Sequence, residues 1–404
     1  MSHLEKERFT DAEIAYITTL KEESSLDWAE LTEKYNNKFK KDRSLDSVKK
    51  GYQRNRARMD DNNEYVRTLK AVATTRKANS LNSKDLKKVL TAWEEREDIL
   101  DAISAAAKKV SKHKVSVVKK SKNKNKKNMT LELLVSDIHV GKMTDTFNNE
   151  VSKRRLKQVA DTAIKEMQRA AEHYTIDRFI IAFLGDMIES ATMHGVESSK
   201  SCEFGNSRQV QECLEQCYEL IVLPIAIEAA KFGARVDCIG VAGNHDRTEH
   251  DRTMTKPGED NLTWIIYNAI RKFGEQAGLK NVSWNIPVES YATSEIYGEG
   301  ILWEHYDNAK GPTRQALEGL LAKRTNQLKK PIRFMRGGHF HAPAEFGIGE
   351  IIINGNSPGN DGYSTTLGFD CEPSQTLNFY IEREKSDSIK RQSSFYKRFL
   401  IQLA

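Results

Sequence analysis

Residues 131–143 read LELLVSDIHVGKM, and the break inside that stretch decides the architecture. A run short enough for a buried strand passes straight into Ser136-Asp137-Ile138-His139, so a carboxylate and an imidazole stand where the strand runs out. The same punctuation recurs downstream. FIIAFL (179–184) is followed by Gly185-Asp186, VDCIGVAG (236–243) by Asn244-His245-Asp246, ILWE (301–304) by His305, and IRFMR (332–336) by Gly337-Gly338-His339-Phe340-His341. Amphipathic helical segments lie near 151–173, 208–232, 260–276 and 313–328, and a further apolar run, EIIIN, covers 350–354. Short strands bounded by helices predict an α/β domain whose central sheets are covered by helices. In such domains ligands gather at the carboxyl ends of the strands.

Alone, a histidine or a Gly-Asp behind a strand is ordinarily a hydrogen-bonded turn. Five successive strand ends each carrying a carboxylate, amide or imidazole point instead to a shared site. In order, these blocks resemble the DxH, GDxxE, GNHD, lone-His and GHxH pattern of the calcineurin-like metallophosphoesterase superfamily, over roughly residues 129–360. The resemblance implies a four-layer α/β sandwich of two mixed β-sheets flanked by helices, holding two divalent ions. Manganese is the first expectation, with iron, zinc or magnesium as alternatives; mixed nitrogen and oxygen ligands suit such metals better than calcium. It further implies that Asp137, His139, Asp186 and His341 bind one ion, that Asp186, Asn244, His305 and His339 bind the other, and that Asp186 bridges the two. By the same analogy His245 is not a ligand but faces the substrate, stabilising the transition state or protonating the leaving alkoxide. Glu189, three residues after Asp186, matches the acidic partner that orients such a histidine; its plain alternative is an ordinary surface acid. His173, His194 and His250 compete with His305 for the lone-histidine place, and His305 is preferred because it follows an apolar strand between GNHD and GHFH.

The formal charge of +6 is unevenly placed: residues 107–128 hold ten lysines and no acid, leaving the remainder at 6 − 10 = −4. That tract reads as a linker with the footprint of a phosphate-backbone contact, or else as a solubilising spacer. Ahead of it, residues 1–60 read as three short helices. Thr10 with Glu13 and Asp27 with Glu30 make capping boxes, and Ser44 opens a third helix with Leu45, Val48 and Tyr52 on its apolar stripe. Lys49, Lys50, Arg54, Arg56 and Arg58 lie largely around the rest of that helix. The segment resembles a Myb/SANT-like helix-turn-helix domain, which implies DNA as partner and those five residues as its contacts. Residues 61–106 form a helical connector whose Leu86, Val89, Leu90, Trp93, Leu100 and Ile103 predict packing on a partner helix or the next domain; residues 129–404 form the catalytic domain.

The superfamily includes protein phosphatases, nucleotide phosphodiesterases and DNA nucleases, so the ligand set specifies the reaction better than the substrate. SDIHVGKM, GNHDR, HYDNAKG and NGNSPGNDGYS resemble bacterial and phage DNA-repair nucleases of the SbcD-like kind, whereas GDMIESA and GNHDR depart from the GDYVDRG and GNHE of protein phosphatases. Many repair nucleases carry a histidine in the turn where this chain has Glu189, with His194 further along, a departure that counts against exonuclease action and leaves endonuclease or nicking action open. The expected function is a metal-dependent DNA nuclease brought to DNA by its N-terminal domain and basic linker. The alternatives are a phosphatase or phosphodiesterase acting on phosphoproteins or nucleotides, and a DNA-binding regulator using the fold for interaction. Five scattered cysteines predict free thiols; Cys213 and Cys217, four apart in a helix, read as packing or as half of a zinc site. With no long apolar run, and no signal or transit pattern in MSHLEKERFTDAE, the expectation is a cytoplasmic protein, phage-encoded or bacterial, without a membrane partner. A protein partner or homo-oligomer is left open, and the stretch after 370 either caps a sheet or meets that partner.

Overall fold

In the computed structural model the chain divides into two compact units, residues 1–93 and 94–404. The described residues are 26–55, 126–190, 202–247, 261–360, 372–383 and 393–404, with individual positions between 9 and 21 and between 98 and 107. Most of the expected connector, nearly all of the lysine tract, His194 and His250 therefore lie outside them.

In the smaller unit both expected capping boxes form. The Glu13 carboxylate accepts from Thr10 N at 2.7 Å, and Asp27 caps α1 (Trp28–Phe39) by accepting from Ala29 N and Glu30 N. A left-handed Lys40 ends α1, and α2 (Leu45–Asn55) follows. Ile17, Leu31, Tyr35, Val48 and Tyr52 form a small core, with Trp28 edge-on to Tyr52. One expectation changes here. Leu45 is 42% exposed rather than part of the apolar face, because it stands at the first turn, before the helix reaches Val48. Of the five basic residues, Lys49 and Lys50 are exposed on α2, with Lys50 paired to Asp46 at 2.7 Å, while the Arg54 side chain and Arg56 and Arg58 lie outside the described residues.

In the larger unit a six-stranded sheet has the order β11-β10-β1-β2-β3-β4, where β1 is Asn128–Val135, β2 Thr175–Phe183, β3 Arg235–Gly240, β4 Val282–Asn285, β10 Ser374–Ile381 and β11 Phe395–Gln402. β1 to β4 are parallel; β10 and β11 are antiparallel additions, so the C-terminal stretch extends the sheet. The second sheet has the order β5-β6-β7-β9-β8, built from β5 Tyr291–Ile296, β6 Glu299–Glu304, β7 Phe334–Gly337, β8 Ala344–Phe346 and β9 Ile351–Ile353. It is mixed as well, with β6, β7 and β9 parallel.

Alternation along the strands assigns the layers. Leu131, Leu133 and Val135 of β1 and Phe179, Ile181 and Phe183 of β2 pack under α3 (Asn149–His173), α4 (Asn206–Glu215), α5 (Leu223–Lys231) and α6 (Leu262–Ala277). Leu134, Ile180 and Ala182 point the other way and meet Ile301, Trp303 and Phe334 of the second sheet. Leu302, Met335, Ile351 and Ile353 close the outer layer against Leu317 and Leu320 of α7 (Arg314–Leu328). This is the four-layer sandwich of two mixed sheets flanked by helices. Ile99 and Ala106 join the core under the helices; of the connector's expected stripe, Ile103 packs against that core, whereas Leu100 is 62% exposed. Between α4 and α5 the ladder widens into a π turn, Gln216–Val222, ahead of Pro224, which has no N–H to give to the carbonyl four residues back. Cys213 and Cys217 are buried there with sulfurs 3.8 Å apart, and among the described residues no third ligand joins them. Among the described residues no helix is long and apolar enough to cross a membrane.

Candidate metal centre

The parallel strands β1, β2 and β3 end on one edge, and the loops leaving them supply Asp137 and His139, Asp186, and Asn244 to Asp246. β6 and β7 of the second sheet end in His305 and in His339 and His341. Three groups of possible ligand atoms, each within 4.8 Å of one another, gather there: the first is Asp137, His139 and His341, the second Asp186, His305 and His339, and a third, His139, Glu189 and His245, shares His139 with the first. Asn244 joins the second group through its Oδ1, 3.0 Å from His305 Nε2.

The backbone is held in an unusual conformation at these positions. Asp137, His139, Asp186, His339 and His341 all have φ between +47° and +72°. Left-handed backbone costs a residue with a side chain about 1–2 kcal/mol, and such residues cluster where surrounding structure over-determines them for function. Neighbouring atoms provide that support. Asp137 accepts from His339 N with both carboxylate oxygens, at 3.0 and 3.1 Å, which ties the β1 loop to the β7 loop. A Cβ on Gly338 would overlap Asp137 Oδ2 and Ser136 Oγ, so glycine is what lets the two loops approach.

The nitrogen atoms are set for coordination. His305 Nδ1 lies 2.7 Å from the Leu184 carbonyl, which only accepts, so that nitrogen carries a hydrogen and Nε2 is directed at Asp186 Oδ2 and Asn244 Oδ1, both at 3.0 Å. Burial pulls the His305 imidazole down, but the Asp186 charge outweighs it and pushes its pKa up to about 10. A divalent cation could replace that proton. In the first group His139 Nε2 lies 3.3 Å from His341 Nε2, and His341 Nε2 lies 3.3 Å from Asp137 Oδ1. His139 Nδ1 is 2.7 Å from Glu189 Oε2, close enough to pair although off the line of a good hydrogen bond. A carboxylate at Nδ1 favours the tautomer whose Nε2 lone pair is free, as in carboxylate–histidine–metal arrangements. Burial lowers His139 and His339 to about 4, leaving both imidazoles neutral and able to donate lone pairs at neutral pH. Asp137, despite its burial, is held below the usual carboxylate range by His341 and His305, and Asp186 well below it by His305 and His245. Two anionic carboxylates, the neutral imidazoles of His139 and His339, and a His305 whose second proton a cation could replace, converging in buried surroundings, fit divalent ions.

No protein-family model matches the chain, and no curated protein matches it. Among solved structures, zinc-complexed Vps29 from Entamoeba histolytica is 13% identical, covering 67% of this chain and 99% of its own, with a TM-score of 0.27. Vps29 from Cryptosporidium parvum is 13% identical over 67% of this chain and 98% of its own, at 0.28. A conserved uncharacterized protein of Streptococcus pneumoniae TIGR4, described as a predicted phosphoesterase, is 14% identical over 67% and 98%, at 0.27. The site must speak for itself.

Glu189 is buried rather than a surface acid, at 4% exposure, and its Oε2 lies 3.7 Å from His245 Nδ1, farther than from His139. Lys142 Nζ stands 3.9 Å from the same oxygen. Burial raises the Glu189 carboxyl, but His139 and Lys142 pull it down to about 2. His173, one of the competitors for the lone-histidine place, is exposed at the end of α3, away from both groups.

Several residues support the site from behind, with little or no signal in the sequence. Asp246, fully buried, accepts from Asp186 N at 2.7 Å and Ile188 N at 3.0 Å, pinning the turn that presents Asp186; burial and the Asp186 charge push its carboxyl up to about 8. Behind Asp137, Gln375 of β10 exchanges bonds with the Ser136 backbone, and Asn354 donates to Ser136 Oγ at 2.9 Å. Only the GNHD block hinted at Asp246; nothing in the sequence set Gln375 apart.

Proposed function

We propose that this chain is a binuclear-metal phosphoesterase acting on phosphodiester bonds in DNA. The observation that carries the reading is the convergence of the two ligand groups at strand ends of both sheets, with five of their residues in left-handed backbone. Asp137, His139, Asp186 and His341 would hold one ion, and Asp186, Asn244, His305 and His339 the other. Bound there, two divalent ions would supply the Lewis acidity for in-line displacement at phosphorus. The remaining chemistry falls to the protein. His245 is partly exposed and its backbone N–H is anchored on Asp186 Oδ1 at 2.8 Å, which leaves its ring to protonate the departing alkoxide. Glu189 keeps a hydrogen on His139 Nδ1 and stands near enough to His245 Nδ1 to orient that ring too.

DNA as substrate is supported by the helical N-terminal unit with Lys49 and Lys50 exposed on α2, and by the ten lysines of 107–128. The test offers purified protein and Mn2+ to supercoiled plasmid, linear duplex, single strands and bis-para-nitrophenyl phosphate, with chelator controls. Chelator-sensitive cleavage of DNA and of the small diester is expected. Turnover of the small diester without any DNA cleavage would sink the nuclease reading, and no turnover with metals demonstrably bound would favour a regulatory role.

A further inference from the structure

The layer between the two sheets contains a buried ion pair. Glu132, in the middle of β1, is fully buried and faces that layer by the same alternation that sends Leu134 there. Four donors converge on its carboxylate: Trp303 Nε1 of β6 at 2.7 Å, Arg336 Nε of β7 at 3.1 Å, and Asn378 Nδ2 and Tyr380 Oη of β10 at 2.9 and 2.6 Å. Arg336, also fully buried, donates to Tyr380 Oη at 2.7 Å and to the carbonyls of Met335 and Glu350 at 2.9 and 3.2 Å. Such a pair is a poor source of stability, because desolvating two charges offsets most of their attraction. Its distinguishing property is direction: Asn378 and Tyr380 hold the carboxylate from the neighbouring strand β10 of its own sheet, and Trp303 and Arg336, from the second sheet, meet it at only one offset between the sheets.

Three of the four strands joined at Glu132 run on into the site. Glu132 precedes Asp137 by five residues, Trp303 precedes His305 by two, and Arg336 precedes His339 by three. The first ligand group takes Asp137 and His139 from one sheet and His341 from the other, and the second takes Asp186 from one and His305 and His339 from the other. A slip between the sheets would open both groups. We propose that Glu132 is a positioning residue for the metal centre: it fixes the offset between the sheets so that ligands from both close on the same ions. The inference rests on the binuclear reading above and adds a residue that touches neither metal nor substrate.

The test is Mn2+ titration calorimetry on the full chain, with thermal unfolding measured on the same metal-free samples. Glu132→Gln keeps the shape and loses the charge, and should weaken Mn2+ binding about tenfold, near the lower end of what outer-shell metal-site substitutions cost. Tyr380→Phe removes one hydroxyl, should fold even if Glu132→Gln does not, and should weaken binding by a smaller factor. Ile270→Ala in α6, buried under the helices, provides a comparable loss of Tm away from the sheet interface and should retain wild-type affinity. Wild-type affinity in both Glu132→Gln and Tyr380→Phe would overturn the inference, as would losses in all three variants that simply follow Tm. Absence of Mn2+ binding by the wild-type chain would overturn the metal reading itself, whereas wild-type binding with unaltered variants overturns this inference alone.

Discussion

Gly338→Ala and Gly319→Ala make the same chemical change and should have opposite consequences. At Gly338, whose φ is not positive, alanine is conformationally acceptable, but its Cβ would lie 2.7 Å from Ser136 Oγ and 2.8 Å from Ser136 Cβ, with Asp137 Oδ2 closer still. Ordinary van der Waals contact begins at 3.4 Å, so the β1 and β7 loops must separate by at least 3.4 − 2.7 = 0.7 Å. That separation lengthens the bonds from His339 N to both Asp137 oxygens and moves His339 and His341 away from their partners. Overpacking of this kind costs about 1–3 kcal/mol, or roughly 2–5 °C in Tm for a unit of this size. Since a misplacement of about 1 Å can cost on the order of a hundredfold in rate, turnover of a small diester should fall by one to two orders of magnitude. At Gly319, on the exposed side of α7, nothing lies within 4 Å of the added Cβ, and alanine should stabilise by up to about 1 kcal/mol. The assay is differential scanning calorimetry of metal-free protein together with Mn2+-dependent hydrolysis of bis-para-nitrophenyl phosphate. Equal Tm values and equal rates for the two variants would refute the claim that close approach of these loops sets the metal ligands.

Other expectations concern single groups. His305→Ala and His341→Ala should each lose about one bound metal, from different ions, as read by elemental analysis after dialysis against Mn2+; loss of both ions in each variant would show that the groups do not bind separately. His245→Asn should keep full metal content while turnover drops about 10²–10⁴-fold, the usual contribution of a general acid; a fall in metal content instead would make His245 a ligand. In the smaller unit burial raises the Glu13 carboxyl, but bonds from Tyr35 and Thr10 outweigh it and hold it below its ordinary value of 4.5. A depressed folded pKa contributes stability that is present above the unfolded value and is lost as pH falls through the folded one. Protection of 26–55 against hydrogen exchange should therefore weaken below about pH 4.5, and less so in Tyr35→Phe, whose Glu13 begins nearer its unfolded value. Replacing Lys49 and Lys50 together by glutamine should reduce the salt slope of DNA binding by about 1.8, two phosphate contacts at roughly 0.9 each; an unchanged slope would remove α2 from the interface.

The positions of the blocks at 137–139, 186, 244–246, 305 and 339–341 were legible because each follows directly on an apolar run, and the candidate ligand types among them are few enough to stand out there. The alternating strands β1, β2, β3, β6 and β7 were legible for the same local reason, as were the capping boxes at Thr10 and Asp27. Less legible were β4, β5, β8 and β11, which are short or half-exposed and carry no continuous apolar run. Glu132 sits inside LELLV as one polar letter among apolar ones, and Asn378 and Tyr380 lie 246 and 248 residues away from it in the chain. Glu189 was placed by motif beside His245, yet it lies closer to His139, a choice set by how the β1 and β2 loops meet. The sequence alone determined which side chains stand at strand ends, because that depends on local periodicity and chain direction. Only the tertiary structure decided which of them share a site and what holds them there, because two sheets must first pack at one offset before atoms 202 residues apart, such as Asp137 Oδ1 and His339 N at 3.0 Å, can meet.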